Sequence, residues 1–234
     1  MSPDERGAVS AAAEHGHRLA AVLIARLRRQ LTAGHRPLFV GIDGRSGAGK
    51  STVAARIAQA FREPGDDTDS VTVVEGDEFY SGGSADTWDR RAAPEKVALV
   101  IDWRRQRDVL ERLRRDDVAK WQSFDWDSED WDSDSVPLAA IPTIARTAPV
   151  ILLEGAYSCR PELHDLLDLR VLLEVPREIR RKRLIDREGD AFRSDWNARW
   201  AAAEDYYFDT VMPPERFDLV LGDLEGREMN RVTT

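Results

Sequence analysis

Residues 44–51 read Gly44-Arg45-Ser46-Gly47-Ala48-Gly49-Lys50-Ser51, and this octet constrains the fold more than any other stretch of the chain. Its spacing, G-x-x-x-x-G-K-S, is that of a loop built to wrap phosphate. The glycines permit positive φ and bring bare backbone close to an anion. Amides from Gly44 through Ser46, Gly47, Ala48, Gly49, Lys50, Ser51 and Thr52 then face inward as a nest for nucleotide phosphates. Lys50 reaches the β- and γ-phosphates of ATP, and the Ser51 hydroxyl is a Mg²⁺ ligand. Such a loop works between a strand and a helix, because the helix N-terminus adds its dipole to the anion site. The flanks comply: Pro37-Leu38-Phe39-Val40-Gly41-Ile42-Asp43 reads as a buried strand. After the loop, Val53, Ile57, Ala60 and Phe61 follow helical spacing.

The rest of the chain alternates in the same way. An amphipathic helix is expected from about Ser10 to Ala33, after a loose start over residues 1–9, with Gly34 ending it. A turn-rich connector over residues 64–69 leads to a second strand, Val71–Val74, and an irregular polar segment over 76–94. One long helix is expected over 94–115, followed by an acidic, tryptophan-bearing segment over 116–136. Further strands are expected at 149–155, 169–176 and 217–221, with helices at about 177–188 and 193–208. Strands alternating with helices predict an α/β fold, a three-layer sandwich around a five-stranded parallel sheet of order 2-3-1-4-5. Residues 1–36 are expected to pack as a helix on one domain spanning 37–234.

Composition excludes several functions. With 34 basic and 43 acidic residues the net charge is -9, a poor match to sequence-independent nucleic-acid binding. Cys159 is the only cysteine, so disulfides within the chain and thiolate metal sites are excluded, in keeping with a reducing cytoplasm. No apolar run is long enough to span a bilayer, and Ser2-Pro3-Asp4-Glu5-Arg6 does not open a signal peptide. A homo-oligomer is permitted but not specified. His15, His17, His35 and His164 show no ligand spacing and are read as structural or surface residues.

Ligands of parallel sheets sit outside the carboxyl ends of the strands. Asp77 lies just past the second strand, placed either as a base for a hydroxyl or as a turn cap. Glu154 ends the third strand, placed either to assist Mg²⁺ or as an ordinary strand-end carboxylate. Arg180, Arg183 and Arg187 fall on one face of the 177–188 helix. They form either a lid over phosphates or a solvated face paired with Glu178, Asp186 and Glu188. Phe124 and Trp126 lie in the acidic segment, which lacks the glycine and final glutamate of a calcium loop and reads either as a substrate-side aromatic loop or as a mobile acidic insertion.

Taken together these residues resemble the uridine kinase family of P-loop nucleoside and small-molecule kinases. The likeness runs from about Leu38 to Leu221. It is carried by the glycine loop, Asp77-Glu78-Phe79-Tyr80, Trp88-Asp89, Ile101-Asp102-Trp103-Arg104-Arg105, Phe124-Asp125-Trp126, Val150–Gly155 and the arginine helix. The resemblance implies that Asp77 is the catalytic base, that Tyr80 and Asp89 contact the sugar or base of the acceptor, and that Glu154 assists Mg²⁺. It also implies that Arg183 and Arg187 belong to the lid. The sequence departs from the family at Asp89-Arg90-Arg91-Ala92, where His-Pro-Asp usually follows the aspartate, and at Phe124, where a tyrosine is usual. No histidine lies between His35 and His164 to read a pyrimidine, and Asp186-Arg187 inverts the usual lid pair. The expected activity is transfer of the ATP γ-phosphoryl to a hydroxyl of a small molecule such as uridine or cytidine. The alternatives are a sugar, antibiotic or vitamin-precursor kinase, a nucleotide-binding regulator, and an NTPase acting on a protein.

Overall fold

The computed structural model describes residues 3–34, 36–62, 71–130, 133–189 and 194–222. The connector at 64–69 and His35 lie outside them. The central sheet holds five parallel strands: β1 (Leu38–Asp43), β2 (Val71–Glu75), β5 (Val150–Glu154), β6 (Leu169–Glu174) and β7 (Leu219–Gly222). Their order is β2-β5-β1-β6-β7. This is the expected 2-3-1-4-5 once a separate antiparallel ribbon, β3 (Val118–Trp121) with β4 (Thr143–Arg146), is set aside.

Alternation along the strands builds two cores. Leu38, Val40 and Ile42 of β1 join Val150 and Leu152 of β5 on one face. There they meet Leu19, Leu23 and Leu27 of α1 (Pro3–Thr32) and Val53, Ala54 and Ile57 of α2 (Lys50–Ala60). Phe39, Ile151 and Leu153 point the other way, into a cluster with Val109, Leu110 and Leu113 of α5 (Trp103–Arg115) and Ala203 of α7 (Ser194–Tyr206). A parallel sheet covered on both faces needs continuous apolar strands, and β1 and β5 are buried at every residue. Among the described residues no helix is long and apolar enough to cross a membrane.

Three expectations are corrected. The first helix begins at Pro3, not near Ser10. The helix over 94–115 is two helices, α4 (Ala93–Leu99) and α5. Between them Ile101 bridges Tyr80 in extended pairing, and the Asp102 carboxylate caps a new helix by accepting from the amides of Arg104 and Arg105. The segment over 76–94 is not irregular throughout: it holds a 3₁₀ turn (Gly76–Phe79) and the short helix α3 (Ala85–Asp89), capped by Ser84.

The ribbon braces the turn that carries Asp77. Trp121 Nε1 donates to Glu78 at 2.5 Å, the Phe124 amide donates to the Glu78 carbonyl at 2.7 Å, and Thr72 Oγ1 donates to the Arg146 carbonyl at 2.5 Å.

Candidate active site

β1 ends in Asp43, and the chain turns through the glycine loop into α2, whose N-cap is Gly49 in the left-handed conformation. Gly47 shows why the loop needs its glycines. Its φ is +78°, and a Cβ there would sit 2.6 Å from the Arg180 carbonyl oxygen. The arginine helix α6 (Arg177–Glu188) therefore rests backbone-to-backbone on the loop. Arg183 Nη1 donates to the Ala48 carbonyl at 3.2 Å, and Arg180 Nη1 donates to the Ser46 carbonyl at 3.1 Å. Lys50 Nζ donates to the Gly44 carbonyl at 2.9 Å, which curls the lysine back across the loop.

The ends of β2 and β5 bring the acids to this loop. Glu75 pairs with Glu154 in register, and Ile42 of β1 pairs with Glu154 on the other side. Glu154 is 5% exposed. Burial pushes its carboxyl up to about 7, Asp77 and Glu75 add to that, and Lys50 and a hydrogen bond from Ser51 pull against it. Ser51, Thr52 and Asp77 are exposed, so the loop's hydroxyls and the acid after β2 share an open edge of the sheet. Of the predicted residues, Gly44, Ser46, Gly47, Ala48, Gly49, Lys50, Ser51, Glu154 and Arg183 thus lie in or against one loop, and Asp77 stands beside Glu154. Arg187 lies one turn further along α6, exposed.

The residues expected on the acceptor side lie around an aromatic cluster. Tyr80 stacks on Trp126 at 5.0 Å, meets Phe124 edge-on at 4.9 Å and faces Trp196 at 6.2 Å. Trp200 packs on Trp88 at 5.2 Å. Asp89 is held by Arg199 in a two-pronged pair at 2.7 and 3.2 Å, and that hydrogen bonding lowers its pKa.

Several residues of the site were not singled out from the sequence. Asp43 is fully buried at the root of the loop, where burial raises its pKa. It accepts from the Gly44 amide at 2.8 Å, the Cys159 amide at 3.0 Å and the Tyr207 hydroxyl at 2.8 Å. On α7, Glu204 accepts from the Ser46 amide at 2.7 Å, and Asp205 pairs with Arg45 at 2.5 Å. The i, i+3 spacing of Glu204 and Tyr207 shows that they share a helix face; only the tertiary fold shows that this face meets the loop. His164 is structural, bonded to the Cys159 carbonyl at 3.0 Å. A cavity of about 340 Å³ opens beside the loop between Arg45, Leu173, Val175, Pro176, Arg180 and Phe208.

Whether these residues suit Mg²⁺ is decided by the acids. Burial beside two other carboxylates favours the protonated form of Glu154, and a divalent cation next to it would favour the charged form instead. Among the described residues no group of three or more His, Cys, Asp or Glu side chains forms a metal cage. Mg²⁺ does not need one, since one or two side chains together with substrate phosphates suffice.

Comparison with known proteins places this arrangement. The profile of the "Phosphoribulokinase / Uridine kinase family" matches residues 39–193. A uridine kinase of Limosilactobacillus reuteri (strain DSM 20016) is 27% identical over 188 residues, covering 78% of this chain and 81% of that protein. A solved structure named as a possible uridine kinase from Bacillus stearothermophilus superposes with a TM-score of 0.57 at 24% identity, covering 85% of this chain and 96% of that one. A protein of Silicibacter sp. TM1040, provisionally named a fructose transport system kinase, gives 0.55 at 22% identity over 80% and 87%.

Proposed function

The chain belongs to the phosphoribulokinase/uridine kinase family and is a small-molecule kinase, and on that footing we propose that it moves the γ-phosphoryl group of ATP to a hydroxyl of a nucleoside such as uridine or cytidine. The observation that carries this reading is the convergence of Lys50, Ser51, Glu154 and Asp77 at the carboxyl ends of β1, β5 and β2. Amides of the glycine loop up to Thr52 hold the phosphates, while the Gly44 amide is taken by Asp43 and that of Ala48 by the Arg45 carbonyl. Ser51 and Glu154 hold Mg²⁺, which when bound neutralises charge on the β- and γ-phosphates. Lys50, Arg183 and Arg187 stabilise the charge spread over the transferring group. Asp77 takes the proton from the acceptor hydroxyl as its oxygen attacks the γ-phosphorus and ADP departs. The cavity beside Arg45 and Pro176 is assigned to the donor's base. Tyr80, Asp89, Phe124 and Trp126 form the acceptor side, with the aromatic rings offering stacking faces.

One observation favours a second acceptor class. Asp89 is engaged by Arg199 on both oxygens, which leaves it a weaker partner for sugar hydroxyls than an open carboxylate. A non-nucleoside acceptor that does not rely on an open carboxylate at this position is the second reading.

The test is a coupled ADP-release screen over nucleosides, sugars and aminoglycosides, with Asp77→Asn as the control. The nucleoside reading expects release driven by uridine or cytidine and abolished in the variant. Inert pyrimidine nucleosides would sink that reading. Full-rate transfer by Asp77→Asn would remove the base assignment.

A further inference from the structure

The outer arm of the phosphate loop is held by α7. Glu204 Oε1 accepts from the Ser46 amide at 2.7 Å and from the Ser46 hydroxyl at 2.6 Å. Its other oxygen lies 3.9 Å from Arg180 Nη1, which itself donates to the Ser46 carbonyl at 3.1 Å. The Glu204 and Arg180 side chains are only 15% and 14% exposed. A carboxylate taking a backbone amide and a hydroxyl, flanked by a guanidinium, has the surroundings of a bound phosphate oxygen.

We propose that Glu204 is an internal competitor for the donor's terminal phosphate: its carboxylate occupies the Ser46 donors, and a nucleoside triphosphate, but not a diphosphate, must displace it. The inference rests on reading residues 44–51 as the phosphate nest. Two anions repel when they converge on one amide, and the repulsion is strong where water is largely excluded. The diphosphate ends one phosphoryl group short and leaves Ser46 to Glu204. After transfer, the returning carboxylate takes the donors that the departed phosphoryl had used, and so favours release of the product nucleotide.

Displacement also has a route to the acceptor side. Glu204 shares α7 with Trp196, Arg199 and Trp200. Trp196 faces Tyr80, Trp200 packs on Trp88, and Arg199 clamps Asp89. Releasing Glu204 removes one anchor from a helix whose other end walls the acceptor residues. A donor with its γ-phosphate in place thereby changes the restraint on that wall through one continuous element.

The experiment is calorimetric titration of the full chain with Mg²⁺ and either ADP or a non-hydrolysable ATP analogue, for wild type, Glu204→Gln and Lys50→Ala. Glu204→Gln is expected to bind the triphosphate about fivefold more tightly while ADP affinity stays within about twofold. Triphosphate affinity that is unchanged or weaker, or equal gains for both nucleotides, overturns the proposal. A residue that merely propped the loop would weaken both. Lys50→Ala separates the two readings: if it binds both nucleotides as wild type does, the phosphate nest itself is wrong, whatever Glu204 does. Should Glu204→Gln fail to fold by thermal melting, a second variant removes the carboxylate without touching the loop. Because the Ser46 hydroxyl is itself a donor to the incoming phosphate, that variant is Glu204→Ala, which must also raise the ratio of triphosphate to diphosphate affinity; an unchanged ratio overturns the proposal.

Discussion

The hydroxyl of Tyr207 donates to Oδ2 of Asp43 at 2.8 Å, joining the turn after α7 to the root of the phosphate loop across 164 positions of sequence. Both side chains are fully buried, so neither can exchange this bond for water. Tyr207→Phe leaves the carboxylate one donor short in a dry site, a loss of about 1–3 kcal/mol. Thermal unfolding should show it as a drop of about 2–4 °C per kcal/mol. An unchanged Tm would mean that Asp43 does not depend on this bond.

Asp77→Asn keeps the shape of the side chain after β2 and removes its basicity. With the acceptor identified, kcat should fall by about 10²–10⁴, the usual contribution of a positioned base. Affinity for ATP should change little, because the residue stands off the glycine loop. A variant that loses ATP affinity and kcat together would recast Asp77 as part of the phosphate or metal site.

The packing of α1 on the sheet is tested by Leu27→Ala. Leu23 and Leu27 are completely buried against β1 and α2. The truncation should cost about 2–5 kcal/mol. If the variant melts with wild type, residues 1–36 are not part of the cooperative unit.

Glu154 makes stability depend on pH. Burial lifts its carboxyl from 4.5 to about 7, so the fold favours the protonated form. That contribution is whole below the unfolded value and is lost as pH rises through about 7. In chelator, Glu154→Gln should therefore gain Tm relative to wild type between pH 5 and pH 8 by several degrees, the scale of about 1–3 kcal/mol. A gap that stays constant with pH would show that Glu154 is charged in the fold throughout.

How much of this was readable beforehand follows from the range of each signal. The glycine loop and its strand and helix are local patterns: the strand expected over 37–43 is Leu38–Asp43 and the helix expected over 51–61 is Lys50–Ala60. Parallel strands buried on both faces are continuous apolar runs, so β5 and β6 were legible too. The helix over 94–115 failed because Val97, Val100, Val109 and Leu110 keep a helical period across a break that only the Tyr80–Ile101 pairing imposes. The β3–β4 ribbon was hidden because β4 carries only Thr143–Arg146 and leaves Ile144 63% exposed, without the alternation of a half-buried strand. Glu204 and Tyr207 were invisible as site residues because their partners, Ser46 and Asp43, lie 158 and 164 positions away.

Whether residues 44–51 enclose a nucleotide's phosphates is decided by the electron density of crystals grown with Mg²⁺ and a non-hydrolysable ATP analogue. The expected density is a triphosphate against the loop between Gly47 and Lys50, with Lys50 Nζ moved from the Gly44 carbonyl onto phosphate oxygens. A loop that keeps its Lys50–Gly44 and Glu204–Ser46 bonds, with no nucleotide against it, would mean that these residues are not a phosphate site.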